Sequence, residues 1–369
     1  MKFSNFTRSC ITFSCGLLVG FCLTFQFLNG VFEVFPKQLV GLIKYDAKDI
    51  QWIKQKLELF NKTHPHHSGE DSSIGDELYN KVRILCWIMT GPQNLETRAK
   101  HVKATWTRHC NIVLFMSSVD DKNFPTINTR TKEGRDQLTC KAISAFNYVY
   151  EHHREEADWF LKADDDSYII VDNMRWLLSN YTPDQPIYFG RYFKPTYMQG
   201  GSGYVLSKEA LKRFMRNYNH KVCTHNSESE DVIISHILNN IGVKAGDSRD
   251  TELRGTFHPH PLEHHFTSHV IKSYWYWNYN IYPFVEGPQC CSDLAISYHH
   301  MNAQGMYLLE YLAYHIRAYG YQYRYQPALS ENAQKLPVFN KTTSDKTKRA
   351  PITKREKTNE TLVEDKGGK

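Results

Sequence analysis

The stretch Asp158-Trp-Phe-Leu-Lys-Ala-Asp-Asp-Asp-Ser-Tyr-Ile-Ile170 constrains the fold more than any other part of this chain. Trp159, Phe160, Leu161 and Ala163 make a largely apolar run, as a buried strand of a parallel sheet does, and the run stops at Asp164, Asp165 and Asp166. Such a strand delivers charge to the sheet edge. In open α/β sheets ligands gather outside the carboxyl ends of the strands, and carboxylate oxygens there suit Mg²⁺ or Mn²⁺ better than zinc. A divalent ion held in this way clamps a diphosphate. The plainer reading of Asp-x-Asp is a solvated turn or a helix cap. Against it, Ile169, Ile170 and Val171 resume the apolar character at once, and charges pinned between buried segments need a partner.

The N-terminus sets the compartment. No charged side chain occurs from Ser9 to Phe32, and Ile11 to Leu28 is apolar enough to cross the ~30 Å hydrocarbon core as a helix. Lys2 and Arg8 precede it, so the positive-inside tendency predicts a single-pass type II protein. The apolar run is long for a signal peptide, and no Ala-x-Ala-like cleavage site follows it. The expected organisation is a cytoplasmic tail (1–10), a transmembrane signal anchor (11–32), a luminal stem (33–80), a catalytic domain (81–330) and a disordered polar tail (331–369).

Cys10, Cys15 and Cys22 lie in or beside the anchor, leaving Cys86, Cys110, Cys140, Cys223, Cys290 and Cys291 beyond it. That even set allows three bridges in an oxidising lumen. Cys290 and Cys291 are expected to reach different segments, because a bridge between neighbours needs a strained peptide geometry. Asn61-Lys-Thr, Asn180-Tyr-Thr, Asn340-Lys-Thr and Asn359-Glu-Thr match the glycosylation acceptor pattern. The net charge of +6 is spread along the chain without a basic stripe interleaved with aromatics, which argues against nucleic acid as a partner.

An amphipathic patch in the stem (Ile50, Ile53, Leu57, Phe60) is explained equally well by a helix that pairs with a second copy, giving a homodimer, and by a short helix resting on the catalytic domain. Val82 to Met89 reads as the first buried strand, Leu95 to Trp106 as a helix and Ile112 to Met116 as a second strand, a unit of the nucleotide-binding type. A helix from Glu133 to about Tyr150 leads into the central strand. Gly200-Gly-Ser-Gly is a tight turn that also permits close approach of backbone to a sugar.

Ser227 and Glu230 fit a capping box, which would account for the acidic residues around Asp231 without any functional role. Tyr274 to Phe284 is dense in Tyr and Trp, suited either to core packing or to stacking on sugar faces. The run His258-Pro-His-Pro-Leu-Glu-His-His265 reads as a loop cluster that titrates in a mildly acidic lumen, since Pro259 and Pro261 break helical spacing and no Cys pattern supports a closed zinc site.

In this order the landmarks resemble the core-1 β1,3-galactosyltransferase family, the glycoprotein-N-acetylgalactosamine 3-β-galactosyltransferases. The similarity spans roughly Lys81 to Leu329. It rests on Cys86-Trp-Ile-Met-Thr-Gly-Pro-Gln-Asn-Leu, His101-Val-Lys-Ala-Thr-Trp, Thr131-Lys-Glu-Gly-Arg-Asp-Gln-Leu, Trp159-Phe-Leu-Lys-Ala-Asp-Asp-Asp, Gly246-Asp-Ser-Arg-Asp-Thr, Trp275-Tyr-Trp-Asn-Tyr-Asn and Glu286-Gly-Pro-Gln-Cys-Cys-Ser-Asp-Leu-Ala-Ile-Ser-Tyr-His.

The resemblance implies a GT-A-type fold with a Rossmann-like mixed sheet, a Golgi or ER-Golgi membrane location, and Mn²⁺-dependent inverting transfer of galactose. The donor would be UDP-galactose, and the acceptor the 3-hydroxyl of GalNAc on glycoproteins. Carried over by position, Asp166 and His299 would ligate the metal, with Asp164 near the nucleotide. Met89, Glu133, Gly134, Arg135 and Lys141 would line the UDP pocket, Asp231 would be the base, and Trp275 and Trp277 would contact the acceptor sugar.

The loop between Lys194-Pro195 and Gly200-Gly201 is shorter than the family pattern, and the run from His258 to Ser273 differs in detail. Alternatives to this activity are a non-catalytic chaperone-like relative, which lacks the aspartate motif retained here, and a fringe-like transferase using another donor or acceptor.

Overall fold

The computed structural model describes residues 71–218, 229–266, 275–283, 285, 287–320 and 326–336, together with Lys48, Gln51, Trp52, Lys54 and Gln55. The expected anchor and all four apolar residues of the stem patch lie outside these residues. Among the described residues no helix is long and apolar enough to cross a membrane.

The first half of the described chain contains α1 (Ser73–Lys81), β1 (Ile84–Met89), α2 (Lys100–Ala104), β2 (Ile112–Ser117), β3 (Ile127–Asn128), α3 (Leu138–His153), β4 (Trp159–Asp164), β5 (Tyr168–Ile169) and α4 (Val171–Leu178). Next come β6 (Ile187–Gly190), β7 (Tyr192–Phe193), β8 (Tyr197–Met198), β9 (Tyr204–Ser207), α5 (Lys208–Asn217) and α6 (Glu230–Asn240). The remainder supplies β10 (Lys244–Ala245), β11 (Phe257–His258), α7 (Leu262–Phe266), α8 (Trp275–Tyr279), β12 (Ser297–Tyr298), α9 (Ala303–Tyr314) and α10 (Glu331–Lys335).

A mixed sheet of seven strands runs in the order β10-β6-β9-β4-β1-β2-β3, in keeping with the α/β class expected from the sequence. At its centre β4 is parallel to β1 and antiparallel to β9, so the sheet is not parallel throughout. Successive side chains of a strand point to opposite faces, and here both faces are covered. Ile84, Cys86 and Ile88 enter one core, while Leu85, Trp87 and Met89 enter the other. Leu161 and Phe160 divide in the same way. Asp158, just ahead of β4, accepts two hydrogen bonds from the Arg83 guanidinium at 2.8 and 2.9 Å, fixing the entry to β4 against the entry to β1.

A smaller sheet, β11-β12-β5, places the second half of the site. β12 runs antiparallel to β5, pairing Ser297 with Ile169 and Tyr298 with Tyr168. That register carries His299 and His300 to the turn holding Asp166, where the Met301 N–H donates to the Asp166 carbonyl at 2.8 Å. α9 is pinned behind this turn through Glu310, a buried carboxylate that accepts hydrogen bonds from Arg108 and from the Tyr168 hydroxyl.

Burial works against charge on Glu310, but His109, Arg108 and Tyr168 outweigh it and hold its pKa below the usual value. A group depressed in this way contributes stability above its unfolded pKa and loses it as pH falls through the folded one. Glu310→Gln should therefore destabilise by about 3 kcal/mol at neutral pH. In denaturant melts the gap to wild type should shrink as pH drops below the carboxylate range; a constant gap would show that the charge of Glu310 is not what anchors α9.

Several expectations are corrected. Part of the stem belongs to the folded domain, because α1 buries Leu78. Residues 331–335, read as polar tail, form α10, with Ala333 buried and the Lys81 ammonium on its carbonyl at 3.4 Å. Cys290 and Cys291 bridge each other rather than separate segments. The other described cysteines are committed elsewhere: Cys86 pairs with Cys110, and Cys140 is also disulfide-bonded.

Candidate active site

The three carboxylates after Ala163 separate into three environments. Asp165 is buried and accepts hydrogen bonds from the Thr90 hydroxyl at 2.8 Å and the Asn94 amide at 2.9 Å, tying the end of β4 to the turn after β1. Burial raises its pKa, an effect only partly offset by those two donors. Its role is structural. Asp164 accepts from the Lys162 ammonium at 2.7 Å. Asp166 instead faces His299 Nε2 at 3.1 Å, Arg98 Nη1 at 3.2 Å and His300 Nδ1 at 3.9 Å. Burial opposes its charge, but His299, His300 and Arg98 hold its pKa well below the usual carboxylate range.

Asp166, His299 and His300 place one ligand atom each within 4.8 Å of one another. His299 Nδ1 is buried with no hydrogen-bond partner among the described residues. One hard carboxylate with two imidazoles is a mixed O/N donor set that fits Mn²⁺ and its first-row neighbours, and Arg98 supplies the balancing charge in the structure as it stands. A cleft of about 370 Å³, lined by Arg98, Asp166, His300 and Met306 among others, opens on this group.

Asp231 opens α6 on the far side of a glycine turn. Its carboxylate accepts from the Gly200 N–H at 2.8 Å and the Val232 N–H at 2.9 Å. Burial raises its pKa, the two N–H groups and Lys162 oppose the rise, and Asp164 adds to it. The next glycine, Gly201, lies so close to His299 that a Cβ there would come within 2.0 Å of the imidazole Cε1. One turn thus touches both Asp231 and His299. The neighbour that Gly201 admits at close range is a histidine. Gly201→Ala is expected to displace His299 and weaken Mn²⁺ binding, with a melting temperature lowered by the overpacking at the ring; unchanged Mn²⁺ affinity would mean the ring does not bind the ion.

Lys162 is fully buried between Asp164 and Glu230, the latter at 3.6 Å, and donates to the Gly200 carbonyl at 3.3 Å. Burial opposes its charge, yet the two carboxylates carry its pKa above the ordinary value. Glu230 is not the helix-capping residue expected. It is buried and takes the Tyr204 hydroxyl at 2.7 Å, while the N-cap residue Ser229 makes no side-chain capping bond.

The positions expected to line a nucleotide collect at the carboxyl end of β1. Met89 is opposite Asp164 in the strand register. The Lys141 ammonium donates to the Thr90 carbonyl and to Glu133, each at 2.6 Å. Gly134 has φ +137°, a conformation that favours glycine, and Arg135 beside it is exposed.

A protein-family model described as Fringe-like matches residues 80–304. Glycoprotein-N-acetylgalactosamine 3-beta-galactosyltransferase 1 of Xenopus laevis is 53% identical over 330 residues, covering 88% of this chain and 90% of that protein. The chain belongs to the glycoprotein-N-acetylgalactosamine 3-beta-galactosyltransferase family. More distant similarity reaches a beta-1,3-glucosyltransferase of Mus musculus, 24% identical over 44% of this chain and 34% of that one. Chondroitin sulfate synthase 3 of Homo sapiens is 23% identical over 47% of this chain and 22% of that one.

On the side where this family resemblance puts the acceptor, α8 is held by Arg191, which donates to the Tyr276 hydroxyl at 3.1 Å and to Asn280 at 2.6 Å. Tyr276 is fully buried and therefore core, while Trp277 is half-buried against Phe193 and Tyr276. The side chain of Trp275 lies outside the described set. His258, His260 and His265 are buried, and burial pushes the last two down to about 4 and about 3, so they do not titrate in a mildly acidic compartment as their loop-like sequence suggested.

Sequence reasoning about this galactosyltransferase family missed His300, Arg98, Lys162 and Arg191. The doublet His299-His300 was the visible signal; Arg98 and Arg191 act through partners distant in sequence, and Lys162, although it pairs with Asp164 two residues on, is tied to the site through Glu230 and Gly200.

Proposed function

We propose that this chain transfers galactose from UDP-galactose, with inversion, to the 3-hydroxyl of GalNAc α-linked to Ser or Thr, within a GT-A-type fold. The observation that carries the reading is the 53% identity to the Xenopus enzyme over nearly the full length of both chains. The grouping of Asp166, His299 and His300 within one glycine turn of Asp231 agrees with it.

Asp166 and His299, with His300 beside them, would hold Mn²⁺. When bound, the ion supplies Lewis-acid stabilisation of charge on the departing diphosphate. Met89, Glu133, Gly134, Arg135, Lys141 and Asp164 would position UDP along the ends of β1 and β4. Inversion requires attack from the face opposite the leaving group, so a base must receive the hydroxyl proton across the sugar from the nucleotide. Asp231 would take that proton, a role supported by the burial that makes it more basic than an exposed aspartate. Trp277, and Trp275 beside it, would contact the acceptor sugar. The uncharged run Ser9–Phe32 supports a type II anchor, with the domain in the Golgi lumen.

The deciding experiment is a screen of UDP-sugars against a GalNAcα-peptide, with and without Mn²⁺. Turnover with UDP-galactose alone among the donors, and only with Mn²⁺, is the expected result. Preference for another donor would assign the chain to a different β1,3-transferase, and inactivity with every donor would leave a non-catalytic relative.

A further inference from the structure

A second cluster of metal-binding side chains lies behind the candidate active site. His258, His265 and Cys291 are all buried, and each places a ligand atom within 4.8 Å of the others. Cys291 Sγ is 3.9 Å from His258 Nδ1, and the two imidazole rings lie 4.9 Å apart. In a tetrahedral zinc site the bond lengths put neighbouring ligand atoms about 3.3–3.5 Å apart, so the Cys291–His258 pair needs to close by about 0.4 Å and the other pairs by no more than about 1.5 Å. His258 is only 2% exposed, and its Nδ1 faces the Cys291 sulfur.

These three are separate from Asp166, His299 and His300. They are coupled to that group through the backbone, because the His299 N–H donates to the His258 carbonyl at 3.1 Å.

One feature prevents the cluster from binding a metal as it stands: the Cys291 sulfur is bonded to Cys290. A disulfide sulfur carries no thiolate charge, and zinc takes the thiolate. We propose that His258, His265 and Cys291 form a zinc site that opens when the Cys290–Cys291 bridge is reduced.

A dithiol reductant gives two electrons and two protons to the bridge, leaving two thiols on the protein and a disulfide on the reductant. Zn²⁺ then displaces the proton of the Cys291 thiol, and His258 and His265 donate ring nitrogen lone pairs. A water molecule fills the fourth position. The borderline-soft thiolate and imidazole set selects zinc over the manganese that suits Asp166.

The test uses the full chain with Zn²⁺ alone, and with Co²⁺ as a spectroscopic substitute, in two variants that both lack the bridge. Cys290→Ser keeps the ligand sulfur and should bind one more zinc per chain than Cys291→Ser without any reductant. It should also show thiolate-to-cobalt charge-transfer absorption that Cys291→Ser lacks. Equal zinc stoichiometry in the two variants, or no charge-transfer band in Cys290→Ser, overturns the proposal.

Should either variant fail to fold, wild type carries the test. Dithiol treatment should add one tightly held zinc per chain, and in His265→Gln, which retains the bridge, that affinity should fall by more than about tenfold. No gain on reduction, or a gain unaffected by His265→Gln, also overturns it.

Discussion

Asp166→Ala is expected to abolish galactose transfer while leaving the protein folded. The two halves of that expectation come from different neighbours. Asp165 is the carboxylate that holds the end of β4 to the turn after β1 through Thr90 and Asn94, so removing Asp166 spares those bonds. What Asp166 touches is His299, His300 and Arg98, groups that converge on it from β12 and from the helical segment after β1.

Without the carboxylate the site keeps two imidazoles and a guanidinium but no hard oxygen for Mn²⁺. Loss of about 4 kcal/mol of charge stabilisation on the leaving diphosphate corresponds to about a thousandfold in turnover. Initial rates at saturating UDP-galactose, a Mn²⁺ titration and a thermal melt would be measured together. Full turnover with unchanged Mn²⁺ affinity would remove Asp166 from the metal site. A collapsed melt would mean that the turn, and not the ion, depends on it.

The order of elements was legible because the sheet is buried on both faces. β1 and β4 feed two cores with alternate residues, and this is why β1 runs apolar throughout and β4 is broken only by Lys162 before its closing Asp164. The pairing of Asp166 with His299 was not legible from spacing. It follows from the β5–β12 register, which joins segments more than a hundred residues apart, and the resemblance to a family reached it where periodicity could not.

Glu230 shows why a local signal misleads. A carboxylate in the first turn of a helix satisfies a capping pattern whether it caps or not, and only Lys162 and Tyr204, brought in by β4 and β9, show that this one is buried. The histidine run misled in the same way. Its prolines suggested an exposed loop, but His258 stacks on Tyr298 inside the small sheet. For Cys290 and Cys291, strain argued against a bridge between neighbours, and no pattern in the sequence showed that every other described cysteine was already committed.

Asp231→Asn should separate binding from chemistry. The substitution keeps the shape of the side chain and one carbonyl oxygen for the Gly200 or Val232 N–H, so α6 and the glycine turn stay in place. It removes the group that takes the acceptor proton. General-base contributions are typically about 10²–10⁴-fold, so turnover should fall by that factor while the affinity for UDP with Mn²⁺ stays within a few-fold of wild type.

The pH profile supplies the independent check. Burial is the largest influence on Asp231 and raises its pKa above 3.8, with Asp164 adding to the rise and Lys162 and two N–H groups restraining it. A base works only when deprotonated, so kcat/KM should rise with pH along an acid limb lying above the ordinary aspartate value, and Asp231→Asn should erase that limb along with the rate. If the limb survives in the variant, the proton goes to some other group and the assignment of Asp231 fails even if turnover is low.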